Sequence, residues 1–214
     1  PRTQTSQAIC IYYGVFNDSE IRQAGKVLVD LVHEADDHID CGIIGLRVIF
    51  HVLSDLGEGA LAYKMITRDD YPSYGMFIRR GCTSIPEDFQ PDCNYDHPAS
   101  LNHHFLGDYV SWFMQRVAGL RVNPKNTCPY EFEIAPDFIP ALENAEAYYD
   151  SVCGRVSVRW ERKDGYIALS VCCPDKAKGF IKLKPGYTFI GENKEIFPHN
   201  ASMIELKAGE YKVR

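Results

Sequence analysis

Residues 71–112 read YPSYGMFIRRGCTSIPEDFQPDCNYDHPASLNHHFLGDYVSW. Neither a helical period nor strand alternation accounts for Thr83-Ser-Ile-Pro-Glu87 within this stretch. Pro86 fixes φ and removes a donor, so the segment reads as irregular, and it carries a carboxylate, Glu87. A carboxylate held on a rigid loop above a helical scaffold is placed to act as a general base. Ser100-Leu-Asn-His-His104 then opens a strongly apolar pattern that predicts a long helix over 102–120. Helices dominate upstream of this stretch and strands downstream of it.

Upstream, the spacing predicts helices from residue 3 to the stop at Gly14, from a cap at Asp18 or Ser19, over 43–56 ending at Gly57, and over 60–67. Ile21, Ala24, Val27, Leu28, Leu31 and Val32 share one face of the second helix. Short loops between successive helices imply an antiparallel helical array. The character changes near Asn123, where Pro124, Pro129, Pro136 and Pro140 punctuate the chain. Period-two alternation over 155–160 and 166–172, joined by Lys163-Asp-Gly165, predicts a hairpin. Further strands are expected over 179–183, 187–190, 202–207 and 209–213. The expected fold is therefore helices over 1–122, then a small antiparallel β-sandwich over 123–214.

With 214 residues, 45% of them hydrophobic and 24% charged, the chain has ordinary globular composition. A net charge of −6 without any basic, aromatic-interleaved stripe argues against nucleic acid as a partner. No apolar run approaches the length of a membrane span. A start at Pro1 that leads almost directly into a helix reads as a piece of a longer polypeptide, with exposure by processing as the other reading; no signal-peptide pattern is visible. The eight cysteines show no Cys-x-x-Cys pair and read as reduced, mostly buried thiols. Cys82, Cys93, His97 and His103 form the best metal-like string, but their spacing matches no common zinc site, so neither metal nor cofactor is expected. The glycosylation sequons at Asn17 and Asn200 carry no weight.

Both candidate site residues admit a second reading. Glu87 can be a solvated loop acid. His103 can be a capping or packing histidine. If Ser100 or Asn102 caps the helix that follows, His103 falls in its first turn, facing the loop that holds Glu87. The positive field there favours a neutral imidazole, able to donate from one nitrogen and accept on the other.

Several motifs in order resemble those of the α-L-rhamnosidase family of inverting glycoside hydrolases. Thr3-Gln-Thr5 before an apolar helix is similar to the family's Thr-Gln-Thr helix start, and residues 38–45, with Gly42 and Gly45, to its His-Leu-x-x-Gly-x-x-Gly stretch. Leu53-Ser-Asp-Leu-Gly-Glu58 followed by Ala60-Leu-Ala-Tyr63 resembles the next helix pair. Tyr71-Pro-Ser-Tyr-Gly75 resembles Tyr-Pro-Ser-Trp-Gly. Gly81-Cys-Thr-Ser-Ile-Pro-Glu87 and Ser100-Leu-Asn-His103 resemble Thr-Thr-Ile-Trp-Glu and Ser-x-Asn-His. Gly154-Arg-Val-Ser-Val-Arg-Trp160 resembles the first hairpin of the family's C-terminal sheet domain.

The resemblance implies the late helices of an (α/α)6 barrel followed by a β-sandwich, and hydrolysis of terminal α-L-rhamnosides with inversion. It makes Glu87 the general base and His103, Asn102 and Tyr74 sugar contacts. An inverting pair of carboxyl groups stands roughly 6.5–9.5 Å apart to admit water. In the family the general acid lies on earlier helices, so the rest of the parent polypeptide and a rhamnose-containing carbohydrate are the implied partners. The isolated chain is expected to be inactive and to expose apolar helix faces. Two departures stand out: Pro86 replaces the family's Trp, which removes an aromatic wall, and Tyr74 replaces another. Two competing readings remain. One is a non-catalytic carbohydrate-binding protein that uses Trp160, Tyr166, Tyr187 and Phe189 of the sheet domain as stacking faces, although alternation places these in the sandwich core. The other keeps the barrel and changes the sugar.

Overall fold

Thr3 and Ser6 exchange hydrogen bonds, the Ser6 N–H donating to Thr3 Oγ1 at 3.1 Å and the Thr3 N–H to Ser6 Oγ at 3.2 Å, and this capping box starts α1 (Gln4–Tyr12). The computed structural model describes residues 1–89, 100–122, 128–190 and 201–214. Helix α2 (Asp18–Glu34) is capped one residue earlier than expected. Asn17 is its N-cap, accepting from the Ser19 and Glu20 N–H groups, while Glu20 reaches back to the Asn17 N–H at 2.9 Å. Helices α3 (Ile43–Asp55) and α4 (Gly59–Thr67) follow as the spacing predicts.

Helix α3 buries nine of its thirteen residues, so it forms the centre of the helical unit, with α1 and α4 packed on it. The α1–α3 approach depends on Gly45, because a Cβ there would lie 2.6 Å from Thr5 Oγ1 and 2.7 Å from Cys41 Cβ. Buried Gln4 clamps the turn before α3: its amide donates to the His38 carbonyl at 3.0 Å and accepts from the Asp40 N–H at 3.0 Å. A buried amide satisfied on both atoms stabilises such a turn.

Sequence reading missed α5 (Tyr74–Arg79), a short helix capped by Ser73 Oγ, which accepts from the Met76 N–H at 3.1 Å. The single helix expected over 102–120 is instead three pieces. A 3₁₀ turn (His104–Leu106) comes first, then α6 (Tyr109–Trp112), then a π-helical turn (Phe113–Ala118). The Gly119 N–H donates to the carbonyl of Met114, five residues back, and Gly119 turns the chain at φ 91°. The next residues are already a strand.

The chain divides into two compact units, Pro1–Trp112 and Phe113–Arg214. The second holds two sheets. Strands β1 (Leu120–Val122), β2 (Glu131–Ile134), β6 (Lys178–Lys182) and β8 (Met203–Glu205) form one, in the order β1-β2-β6-β8. Strands β3 (Asn144–Ser151), β4 (Gly154–Lys163), β5 (Tyr166–Cys172), β7 (Phe189–Ile190) and β9 (Gly209–Val213) form the other, in the order β3-β4-β5-β9-β7. The expected Lys163–Tyr166 hairpin register is present. Among the described residues the pairings are antiparallel except β2 with β6, which run parallel. Alternation on β4 sends Val156, Val158 and Trp160 inward and leaves Arg155 and Arg159 outside. The fold is thus helices followed by an antiparallel-rich β-sheet unit.

Cys93, His97, Asn123, Pro124 and Asn200 lie outside the described residues. The described cysteines are half-buried or exposed rather than mostly buried. Among the described residues no cluster of His, Cys, Asp or Glu fits a metal ion. No described helix is long and apolar enough to cross a membrane.

Candidate functional site

Three short hydrogen bonds lace the Glu87 segment to the His103 segment. The His103 N–H donates to the Ile85 carbonyl at 2.8 Å, and the Glu87 N–H donates to the Ser100 carbonyl at 2.8 Å. Ser84 Oγ donates to the Leu101 carbonyl at 2.6 Å. Pro86 has no N–H to satisfy, so it sits buried between two bonded residues at no cost in lost bonds. The irregular segment inferred from the sequence is therefore a bracket rather than a free loop.

The carboxylate is part of the same bracket. Glu87 is half-buried, and its Oε2 accepts the Ser100 N–H at 3.0 Å. One oxygen is held by backbone, and a carboxylate has lone pairs on the other to take a proton. Ser100 does not cap a helix. Its Oγ accepts from the Asn102 N–H at 3.2 Å and donates to the Asn102 carbonyl at 3.1 Å, which folds a local turn and leaves Asn102 exposed.

His103 itself is the cap of the 3₁₀ turn, with Nδ1 accepting the Phe105 N–H at 3.2 Å. With Nδ1 accepting, the ring proton resides on Nε2, which makes Nε2 a donor. The half-buried ring lies edge-on to Phe105 at 3.8 Å and parallel to His104 at 5.3 Å. A capping role and a sugar-contact role are therefore compatible in one side chain, because they use different nitrogens.

Tyr74 stands differently. It is 7% exposed and its hydroxyl donates to the Leu106 carbonyl at 2.7 Å. Its ring packs among Phe89, Tyr109, Phe77 and Phe50, with centroids 5.3, 4.4, 6.4 and 6.4 Å away. Burial, above all, pushes its phenol well up from the ordinary value, which keeps it an O–H donor. Gly75 anchors this helix start: its N–H donates to the Arg68 carbonyl at 3.1 Å, and a Cβ there would fall 2.2 Å from that oxygen. The sequence singled out Glu87, His103 and Tyr74; their contacts with the Ser100 N–H, the Leu106 carbonyl and the Phe89 ring were missed. Backbone partners leave no mark in residue types.

Of the four aromatic residues expected as stacking faces, two are buried in the sheet unit. Trp160 is fully buried, its indole N–H donating to the Val117 carbonyl at 2.8 Å, and Phe189 is 5% exposed. Lys212 Nζ lies 5.2 Å over the Tyr166 ring, and Tyr187 packs on Phe138 at 5.0 Å.

Residues 1–117 match the model of the bacterial alpha-L-rhamnosidase 6 hairpin glycosidase domain, and residues 122–192 that of the bacterial alpha-L-rhamnosidase C-terminal domain. An alpha-L-rhamnosidase of Formosa agariphila is 28% identical over 85% of this chain and 20% of its own length. One from Streptomyces avermitilis is 28% identical over 80% of this chain and 17% of its own length. The chain thus spans about a fifth of these curated relatives. Among solved structures, the alpha-L-rhamnosidase from Dictyoglumus thermophilum superposes with a TM-score of 0.85 at 24% identity, over 99% of this chain and 25% of that one. That of Streptomyces avermitilis complexed with L-rhamnose gives 0.84 at 23%, over 99% and 21%. At such identities the superpositions establish the fold, while the domain model, which matches more than half of the residues, establishes descent: the chain belongs to the bacterial α-L-rhamnosidase 6-hairpin glycosidase family.

Proposed function

We propose that this chain supplies one half of the catalytic machinery of an inverting α-L-rhamnosidase. In this reading the helical unit closes the catalytic domain and the sheet unit is the C-terminal domain. Glu87 is the general base: it takes a proton from the water that attacks the anomeric carbon, opposite the leaving group. A general acid from elsewhere in the polypeptide protonates the leaving oxygen. The His103 Nε2–H donates to a hydroxyl of the sugar, and Asn102 lies exposed beside it as a second contact. The observation that carries the reading is the bracket, which ties the segment of a half-buried carboxylate to that of an imidazole whose Nδ1 accepts a backbone N–H. Because the reaction needs two carboxyl groups, the 214 residues alone turn over no substrate.

The test uses a polypeptide that spans the full length of the relatives, wild type against Glu87→Gln, with an aryl α-L-rhamnoside as substrate. Loss of kcat by orders of magnitude with folding intact supports the base role. Nuclear magnetic resonance of the first-formed sugar reads inversion directly, as β-L-rhamnose. Undiminished activity in the Gln variant removes Glu87 from the mechanism, and retention of the α configuration removes inversion.

A further inference from the structure

We propose that Tyr74 is a positioning residue, one side chain that ties the Glu87 segment to the His103 turn. The proposal rests on the reading of Glu87 and His103 just given. It follows from what the two ends of the side chain touch. The ring meets Phe89 edge-on at 5.3 Å, and Phe89 lies two residues beyond Glu87. Phe89 is itself stacked flat on Phe77, with centroids 5.3 Å apart and planes 5° apart, so the ring that Tyr74 touches is well fixed. The hydroxyl donates to the carbonyl of Leu106, the last residue of the turn that His103 caps.

A Phe would fill the same space without carrying a hydroxyl into an apolar cluster, where an unbonded one is costly. Here the hydroxyl meets an end-of-turn carbonyl on a residue only 2% exposed, and each satisfies the other. The donor is committed to backbone, so Tyr74 acts through His103 and not on the sugar. The start of α5 is fixed in turn by the Ser73 cap and by the bond from Gly75 to Arg68. The tie therefore runs from a fixed helix start to both halves of the site.

The experiment is Tyr74→Phe in the full-length polypeptide, read by backbone hydrogen exchange and by kinetics. The Phe105 and Gly107 amides, which donate to His103 Nδ1 and the His104 carbonyl, report the turn directly. Their exchange is expected to accelerate about tenfold, with α3 amides unchanged, as befits loss of one buried hydrogen bond. The kcat is expected to fall about tenfold while KM stays within about twofold, since the ring packing is retained. A second variant, Phe89→Leu, loosens the tie at the ring end: kcat should fall with exchange at Phe105 and Gly107 unchanged. A raised KM with unchanged kcat and exchange in Tyr74→Phe would make Tyr74 a direct sugar contact and overturn the proposal, as would no change in any readout. Full activity in Glu87→Gln together with faster exchange in Tyr74→Phe would sink the catalytic reading and leave the tie standing.

Discussion

Glu87 and Ser100 hold each other twice: the Glu87 N–H donates to the Ser100 carbonyl at 2.8 Å, and the Ser100 N–H donates to Glu87 Oε2 at 3.0 Å. The backbone bond fixes where the residue sits, and the side-chain bond fixes where the carboxylate points. Few surface acids are constrained at both levels, because a solvated carboxylate needs neither.

That double constraint makes the length of the side chain matter. Glu87→Asp keeps the charge and the backbone bond but withdraws the carboxylate by one methylene, roughly 1 Å. Misplacement on that scale costs about a hundredfold in rate even when the chemical group is right. In the full-length polypeptide kcat for an aryl α-L-rhamnoside should fall by about that factor, with the urea midpoint nearly unchanged. Near-wild-type turnover would mean that the water does not depend on this oxygen.

In the proposed mechanism His103 serves two separable functions, one on each nitrogen. His103→Asn keeps a side-chain acceptor for the Phe105 N–H and loses the Nε2–H donor; His103→Ala loses both. The Asn variant should therefore match wild-type stability, while the Ala variant loses about 1 kcal/mol in urea denaturation. Both should lower kcat for the rhamnoside in the full-length polypeptide, because the lost donor serves the reacting sugar. Equal stability of the two variants would show that the cap contributes nothing.

The helices and the central hairpin were legible because their signals are local. Period and turn chemistry place α2, α3 and the Lys163–Tyr166 turn within a residue or two of where they form. The stretch after His103 was not legible, because its apolar pattern suits any tightly wound backbone. What divides it are long-range bonds, such as that from the Ala135 N–H to the Gly119 carbonyl at 2.8 Å. The parallel β2–β6 pairing was invisible for a similar reason, since alternation gives a strand's faces and not its neighbour's direction. At the site, residue types pointed to Glu87 and His103. Tyr74 was expected at the sugar, and residue type could not show that its hydroxyl lies deep, on the Leu106 carbonyl.

Acid sensitivity is expected where α4 leads into α5. The Arg68 guanidinium donates from Nε and Nη2 to the two oxygens of Asp70, both at 2.8 Å, and these bonds hold the carboxyl well below the usual carboxylate range. Burial works against them, and His38, with Nε2 at 3.1 Å, works with them. A carboxyl depressed in the folded state stabilises the fold above its unfolded value of about 4, and that contribution is lost as pH falls through the folded value. The urea midpoint should therefore drop on acidification below about pH 4, less steeply in Asp70→Asn than in wild type. Added salt should shrink the difference, because Asp70 is solvent-exposed. Parallel acid profiles for the two proteins would exclude Asp70 as a contributor.

Trp160 separates a catalytic sheet-bearing chain from a sugar-binding one. A stacking platform has to present its ring to solvent, and this ring is fully buried, edge-on to Phe138 at 5.5 Å with its N–H on the Val117 carbonyl. Trp160→Phe should therefore act on stability: the smaller ring leaves a cavity and a buried carbonyl without its donor, together about 3 kcal/mol. Tyr166→Phe, on the outer face beneath Lys212, should change stability by less than about 0.5 kcal/mol. Urea denaturation reads both. A binding platform predicts the reverse, namely lost affinity for rhamnose-containing oligosaccharides in Trp160→Phe with the midpoint preserved, because stacking energy there would come from the ring face and not from its packing.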